Sequence, residues 1–206
     1  MKARRLKVLV GCEYSGIVRD AFAANGHDAW SCDFLPSERP GRHLQGDVRD
    51  VLNDGWDLAI FHPPCTYLAV SGIHWTNRTP GRRDKTAEAL ELVRALLDAP
   101  IPRICLENPI GVISTHIRKG DQIIQPWEYG EPFSKRTMLW LSGLWPLVPT
   151  NILTPTEFQT NGKPRWSNQT ATGQNKLGPS PTRAHERART YAGIAIAMAD
   201  QWGGMA

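Results

Sequence analysis

The chain of 206 residues has few cysteines and no long apolar run, and each absence excludes a class of protein. Its four cysteines, Cys12, Cys32, Cys65 and Cys105, stand singly, without the paired spacing of a zinc site or the density of a secreted disulfide framework. No stretch approaches the roughly 20 apolar residues that span a bilayer, and the apolar run after the basic N-terminus is too short for a signal peptide. We therefore expect a soluble, cytoplasmic protein with reduced thiols, no bound metal and no membrane partner.

Charge of one sign is also scarce. The chain has 24 basic and 20 acidic residues, a net charge of +4, which suits a nucleic-acid partner without establishing one. The hydrophobic share of 41% is enough for a buried core. We predict a single domain over residues 1–206, with a loop-rich insertion at about 150–185 that is rich in Pro, Gly, Asn, Gln and Thr.

Short apolar runs alternate with amphipathic segments through the first two thirds of the chain. This alternation is typical of βαβ units, so it predicts an α/β fold of the Rossmann-like type, with a mostly parallel central sheet and helices on both faces. Strands are predicted at 6–10, 29–33, 58–61, 104–106 and 138–141, and helices at 17–24, 84–97 and 188–202. Segment 66–83 is polar and longer than an ordinary connection, which makes it a candidate lid.

Polar and reactive residues follow several predicted strands, and in an open α/β sheet ligands bind outside the carboxyl ends of the strands. Gly11 and Gly16, with Asp33 about 20 residues further on, favour a nucleoside-containing cofactor. The GxGxxG spacing is absent, which disfavours a dinucleotide. A turn glycine and a strand-end aspartate without any ligand remain an open alternative.

Cys65 comes directly after Pro63-Pro64, at the predicted end of the most apolar strand. An ordinary thiol has a pKa of about 8.5, so a nucleophilic cysteine needs a site that lowers its pKa. Taken alone, an inert cysteine is the better interpretation of this residue. His62 stands alone beside the prolines, and we interpret it as structural or substrate-orienting rather than as a metal ligand.

Pro63-Pro64-Cys65, followed by Glu107-Asn108-Pro109, resembles the DNA cytosine-C5 methyltransferase family, which carries a proline-cysteine motif after its fourth strand and a Glu-Asn motif after its fifth. Segment 134–138 resembles the later arginine motif of that family. The short chain resembles the small phage and prophage members of that family, which lack a full target-recognition domain. The resemblance implies the methyltransferase form of the fold, S-adenosyl-L-methionine as cofactor, DNA as substrate, and a bacterial cell or phage-infected host.

The same resemblance implies a role for each catalytic candidate. Cys65 would add to carbon 6 of cytosine, and Glu107 would act as an acid near ring nitrogen 3, with a pKa raised by burial. Asn108 would position that carboxyl, and Arg136 would stabilise charge at the pyrimidine carbonyl. The residues assigned to the cofactor site are Gly11, Glu13, Tyr14, Ser15, Gly16, Asp33, Phe34, Asp47, Val48 and Pro63.

Basic and aromatic residues in the two loop segments are candidates for contact with DNA. They are His74, Trp75, Arg78, Arg82, Arg83 and Lys85 in the candidate lid and its continuation, and Arg165, Trp166, Lys176 and Arg183 in the insertion. A partner chain could instead supply target recognition. Two other functions remain open: group transfer to a free pyrimidine nucleotide such as dCMP, and a catalytically silent subunit that binds nucleic acid or a partner.

Overall fold

The computed structural model describes residues 4–76, 78–178, 180 and 183–204. Strands and helices alternate along this chain as the hydrophobic pattern predicts. The strands are β1 (Lys7–Gly11), β2 (Asp28–Asp33), β3 (His43–Gln45), β4 (Leu58–Phe61), β5 (Ile104–Pro109), β6 (Gln122–Ile124), β7 (Thr137–Ser142), β8 (Glu157–Phe158) and β9 (Pro164–Arg165). The helices are α1 (Ile17–Ala24), α2 (Arg82–Leu97), α3 (Ile113–His116), α4 (Arg183–Ala188) and α5 (Ala192–Gly203).

Seven of the strands in the described chain form one sheet in the order β3-β2-β1-β4-β5-β7-β6. The first five strands of this order are parallel, and β7 runs antiparallel to both β5 and β6. The prediction of a Rossmann-like α/β fold with a mostly parallel sheet is therefore confirmed. Because β1 and β4 lie side by side at its middle, the carboxyl ends of β1, β4 and β5 meet at one edge.

Two apolar layers cover the two faces of this sheet. On one face, α1 and α5 pack against Leu58 and Ile60 of β4, and on the other, α2 and α3 pack against Ala59 and Phe61. All four residues of β4 are buried, since alternate side chains of a strand point to opposite faces and both faces are covered here.

The prediction for the last helix is wrong about the residue at which the helix begins. The structure has two helices, α4 and α5, where residues 188–202 were expected to form one. Tyr191 has an extended backbone, so it separates the helical residues of α4 from those of α5. At the start of α5, the backbone N–H of Gly193 donates to Glu131 Oε1 at 2.7 Å. A Cβ at position 193 would lie 2.1 Å from the carbonyl oxygen of Tyr129, which explains the glycine in this turn of helix.

The two loop segments hold more local structure than their composition indicates. Segment 66–83 contains 3-10 turns, at Cys65–Tyr67 and Val70–Trp75, and its last two residues already belong to α2. The insertion at about 150–185 contains the hairpin β8–β9. No helix in the described part of the chain has the length and apolar character needed to cross a membrane.

Candidate active site

The carboxyl ends of β4 and β5 place the catalytic candidates side by side. The two strands pair in parallel with Phe61 opposite Leu106, so His62 and Glu107 follow at the same level. A hydrogen bond of 3.1 Å joins His62 Nδ1 to Glu107 Oε2. One residue further on, Asn108 Nδ2 donates to the carbonyl oxygen of Pro63 at 2.7 Å. These two bonds link the segment that carries Cys65 to the strand that carries Glu107.

A short turn presents Cys65 beyond the end of β4. Its carbonyl oxygen accepts hydrogen bonds from the backbone N–H groups of Leu68 at 3.0 Å and Ala69 at 2.9 Å. The turn is then held to the segment after β5, because Val112 N donates to Leu68 O at 2.9 Å and Val70 N donates to Ile110 O at 2.9 Å. The half-buried thiol therefore stands on a loop that is attached at both sides.

The charge state of Glu107 results from opposing effects. Burial raises the pKa of this carboxyl, but the positive charge of Lys135 and hydrogen bonds from His62 and Thr137 lower it, and the net result is a pKa below the usual value. Burial acts in the expected direction, but the neighbouring charge and donors outweigh it. Glu107 is a carboxylate at neutral pH, held by donors on both neighbouring strands.

The thiol of Cys65 responds to the same charges in the opposite sense. Burial and the negative charge of Glu107 raise its pKa, and the positive charges of Lys135 and Arg187 only partly offset them. Glu107 and Lys135 each act on Cys65, so the three side chains share one electrostatic environment. At neutral pH the thiol is mostly protonated, and its activation needs a change in that environment.

Lys135, rather than Arg136, is the cation that acts on this pair. Lys135 Nζ donates to the carbonyl oxygen of Arg189 at 3.3 Å and lies 6.0 Å from the ring centre of Tyr191, whereas the side chain of Arg136 is exposed. Sequence reasoning missed this contribution and that of Thr137, and it interpreted His62 only as structural or substrate-orienting. The pairing of β4 with β5 could have indicated that His62 lies beside Glu107. Lys135 and Arg136, in contrast, are adjacent cations in segment 134–138, and the sequence does not distinguish them.

A cavity of about 630 Å³ opens at the same edge of the sheet. Five of the residues predicted for the cofactor line it, and it extends to the residues directly before Cys65. Its lining includes Asp33, Phe34, Asp47, Val48, Pro63 and Pro64, together with Cys12, Cys32, Tyr67, Lys85, Glu88 and Glu91. Its volume lies within the range of about 300–1,000 Å³ that is usual for small-molecule sites.

The side chains of this cavity fit a cationic nucleoside cofactor. Phe34 is 70% exposed at its rim, where an aromatic ring is available to stack on a base. Asp33 accepts a hydrogen bond from Leu35 N at 2.9 Å, and Asp47 forms an ion pair with Arg49 that lowers the pKa of the aspartate. The carboxylates can accept bonds from a ribose diol or an amine, and they favour a positive charge.

The other five residues predicted for the cofactor do not line this cavity. Glu13 is buried and accepts hydrogen bonds from Ser15 Oγ at 3.1 Å and Val18 N at 2.8 Å, which satisfies the first turn of α1. Gly16 adopts a φ of 73°, a left-handed conformation that favours glycine. A Cβ on Gly11 would meet the Phe61 side chain at 2.6 Å. Tyr14 belongs to this group and is also buried.

The residues predicted to bind DNA are distributed over two places. Arg82 and Lys85 lie over the ring of Tyr67, at 4.9 and 5.6 Å from its centre. Tyr67 belongs to the same short turn as Cys65. Arg78 and Arg83 are exposed. The half-exposed Arg165 and the exposed Lys176 line a second cavity of about 370 Å³ together with Trp166, whose ring stacks on Trp127 at 5.5 Å. The side chains of His74 and Arg183 lie outside the described residues.

The reactive side chains at this edge of the sheet are a thiol, a carboxylate, an imidazole and an ammonium group. Within the described residues there is no group of three or more His, Cys, Asp or Glu side chains that could hold a metal ion.

No family model matches the sequence. No curated protein matches it either. A solved structure with a similar fold is the crystal structure of a candidate DNA modification methyltransferase encoded within a prophage, from E. coli, with 16% sequence identity and a TM-score of 0.42. The similarity covers 66% of this chain and 46% of that chain, so the present chain spans less than half the length of that protein. A likeness of this degree adds nothing to what the site itself indicates.

Proposed function

We propose that this chain is an S-adenosylmethionine-dependent methyltransferase that acts on carbon 5 of cytosine in DNA through a covalent adduct with Cys65. The observation that supports the proposal is the meeting of Cys65 and Glu107 at the ends of two adjacent parallel strands, linked by the bonds of His62 and Asn108. A thiol and a carboxylate in one electrostatic environment are the pair that attack on a pyrimidine ring requires.

The reaction needs a thiolate because carbon 5 of cytosine is a poor nucleophile by itself. When the Cys65 sulfur bonds to carbon 6, the C5–C6 double bond shifts to C4–C5, and carbon 5 becomes nucleophilic. Glu107, as a carboxylate, can accept a hydrogen bond from the exocyclic amine of cytosine. The positive charge of Lys135 opposes the negative charge that builds on the ring, the role that the sequence assigned to Arg136.

The cavity beside Pro63 and Pro64 is where the cofactor would bind. When bound, S-adenosylmethionine supplies an electrophilic methyl group on a sulfonium centre. Asp33 would accept bonds from its ribose hydroxyls, Phe34 would stack on its base, and Asp47 would bind a donor after release from Arg49. Pro63 and Pro64 precede Cys65 and Tyr67 follows it, and all three line the cavity, so the cavity adjoins the turn that carries the thiol.

A free pyrimidine nucleotide is the second candidate substrate. The observation that favours it is the small size of the segment between β7 and α4. Among the described residues of that segment, the only named strands are the two of the hairpin β8–β9. DNA methyltransferases of the resembling family use a separate domain to recognise the target, and a nucleotide enzyme has no such need.

The experiment that tests the proposal is mass spectrometry of nucleosides from DNA incubated with the protein and S-adenosylmethionine. We expect 5-methyldeoxycytidine from wild-type protein and none from Cys65→Ala, because the adduct cannot form without the thiol. DNA with 5-fluorocytosine should trap a covalent complex on Cys65, since the fluorine blocks the elimination that releases it.

Cys105→Ala is the matched control, because Cys105 is a thiol on the neighbouring strand β5 whose side chain is fully buried in the core. It should keep both the product and the trapped complex. Methylation of dCMP but not of DNA would replace the DNA proposal with the nucleotide proposal. A wild-type protein that modifies neither substrate would contradict both.

A further inference from the structure

His62 contacts Glu107 through one ring nitrogen, and among the residues that the structure describes the other ring nitrogen has no partner. The side chain is 6% exposed, and Nδ1 lies 3.1 Å from Glu107 Oε2. Because a carboxylate only accepts hydrogen bonds, the imidazole donates from Nδ1. Nε2 is buried and makes no hydrogen bond within the part of the chain that the structure describes. Asn108 Oδ1, on the residue after Glu107, is another buried atom without a partner in that part of the chain.

An unpaired buried nitrogen on a ring that already contacts the Glu107 carboxylate indicates that a bound molecule completes its bonding. Each such atom costs roughly 1–3 kcal/mol when its bonding is left unmade, so an apolar side chain in the place of His62 would pack here at lower cost. The imidazole is also unnecessary for fixing the backbone, because His62 N already donates to Gly11 O at 3.0 Å. The imidazole ring is therefore available to bind a molecule in the site and is not needed to hold the backbone in the sheet.

The carboxylate of Glu107 alone is a poor source of a proton at neutral pH. Lys135, His62 and Thr137 all stabilise its charged form, so its pKa lies below the usual value. Attack by Cys65 nevertheless leaves an electron pair on ring nitrogen 3 that must take a proton. The imidazole of His62 is in direct contact with the carboxylate, and its two ring nitrogens can both carry protons, so it can hold that proton.

We infer that His62 is the proton partner of Glu107, and that the imidazole and carboxylate together, rather than the carboxylate alone, supply the proton that the pyrimidine ring takes. This inference rests on the proposed function. His62 acts through Glu107, so it is a positioning residue in the reaction.

The transfer balances within the pair and the substrate. After the thiol proton of Cys65 has left to solvent, the S–C6 bond forms, the C5–C6 double bond moves to C4–C5, and the electron pair of the former C4–N3 double bond takes a proton that the imidazolium form of His62 passes on through Glu107. The pair is then left as a neutral imidazole and a carboxylate. After carbon 5 has taken the methyl group and the C4–N3 double bond has formed again, the proton on carbon 5 leaves to solvent, the S–C6 bond breaks, and the proton on nitrogen 3 returns to the pair.

The pH dependence of the pair includes the charged groups that surround it. Lys135, which precedes β7, acts on Glu107 and on Cys65, and Arg187 of α4 acts on Cys65. Because Glu107 and His62 are in contact, a proton held between them belongs to both side chains rather than to either one. Removal of the imidazole should therefore change the pH at which methylation is fastest.

The test compares His62→Asn and His62→Leu with wild-type protein for methyl transfer to DNA, measured as kcat and KM from about pH 5 to about pH 9. An asparagine amide can donate to Glu107 from nearly the Nδ1 position but cannot titrate. We expect kcat of His62→Asn to fall by roughly 10²-fold at neutral pH with little change in KM, and its optimum to move to lower pH. His62→Leu should lose at least as much.

His116→Asn is the control, because His116 is exposed at the end of α3 and should leave rate and optimum unchanged. If His62→Asn kept the wild-type rate and pH profile, the ring would be only a hydrogen-bond donor and the inference would be overturned. That result would leave the proposed function intact. If His62→Leu failed to fold, the Asn variant alone would decide, and an inactive wild-type protein would overturn inference and function together.

Discussion

At the scale of single residues, the site is a balance of burial and charge around a thiol. Burial and the negative charge of Glu107 raise the pKa of Cys65, and the positive charges of Lys135 and Arg187 lower it. A substrate amine that donates a hydrogen bond to the Glu107 carboxylate weakens the repulsion between that carboxylate and a thiolate. Substrate binding would then favour the thiolate at the moment when the thiolate is needed.

This balance predicts how the reactivity of Cys65 changes with charge. Since the pKa of the thiol is raised, the thiolate fraction at neutral pH is below that of an ordinary cysteine, and it grows as pH rises toward that higher pKa. Glu107→Gln should lower the pKa of Cys65 and speed alkylation by iodoacetamide a few-fold at neutral pH, because the reactive thiolate becomes more abundant. Lys135→Gln should slow it. The measurement is mass spectrometry of the Cys65 peptide against time at several pH values.

Asp98→Asn is the control for loss of a carboxylate, because Asp98 is exposed at the end of α2, at the opposite edge of the sheet. It should leave alkylation of Cys65 unchanged. Equal alkylation rates in wild-type protein, Glu107→Gln and Lys135→Gln would mean that the charges of Glu107 and Lys135 do not change the pKa of the Cys65 thiol.

At the scale of elements, the turn that carries Cys65 depends on close contact with the segment after β5. Ala69 pairs with Gly111 across an isolated bridge, and Val112 N donates to Leu68 O at 2.9 Å. A Cβ at position 111 would lie 1.8 Å from the carbonyl oxygen of Leu68. Backbone cannot move as a flexible side chain can, so only glycine allows this approach.

Gly111→Ala should therefore destabilise the protein and displace the turn. We expect a loss of about 1–3 kcal/mol in the free energy of unfolding, the usual cost of overpacking, measured by denaturant titration. Methyl transfer should fall as well, because Cys65 begins the displaced turn. Gly178→Ala is the matched control, since a Cβ there meets nothing within 4 Å. Equal stability of the two variants would show that the turn is held by other contacts.

At the scale of the whole molecule, the modest net charge is less informative than where the cations lie. Arg78 and Lys85 follow the turn of Cys65, whereas Arg4 precedes β1 at the opposite edge and pairs with Asp57 at 2.8 Å. If DNA binds at the carboxyl edge of the sheet, only the first group neutralises phosphates. The net charge of +4 alone does not distinguish these faces.

The affinity for DNA should accordingly depend on salt through cations on one edge. Arg78→Gln should weaken binding and reduce the slope of log K against log salt by about 1, because one fewer phosphate is neutralised. Arg4→Gln, the control at the opposite edge, should leave the slope unchanged. Fluorescence anisotropy with labelled DNA at several salt concentrations measures both. An equal effect of the two variants would indicate general attraction without a defined face.

The elements of the fold were largely predictable because each has a local signature. β4 was found to the residue from an apolar run closed by prolines, and α1 from one apolar face that ends at Asn25-Gly26. The break between α4 and α5 was not predictable, since it depends on a contact of Gly193 with the distant Tyr129. Gly11 and Gly16 were assigned to a cofactor, but the contacts around them are with packing side chains, which composition does not reveal.

The alternation of apolar and polar residues by itself determined the sheet, its parallel character and the position of Cys65 and Glu107 at strand ends, because burial requires that periodicity. Only the tertiary structure decided the charge of Glu107, the choice of Lys135 over Arg136 and the partnership of His62 with the carboxylate. Those depend on distances between side chains on different strands, and electrostatic effects follow such distances and the local burial rather than the order of residues along the chain.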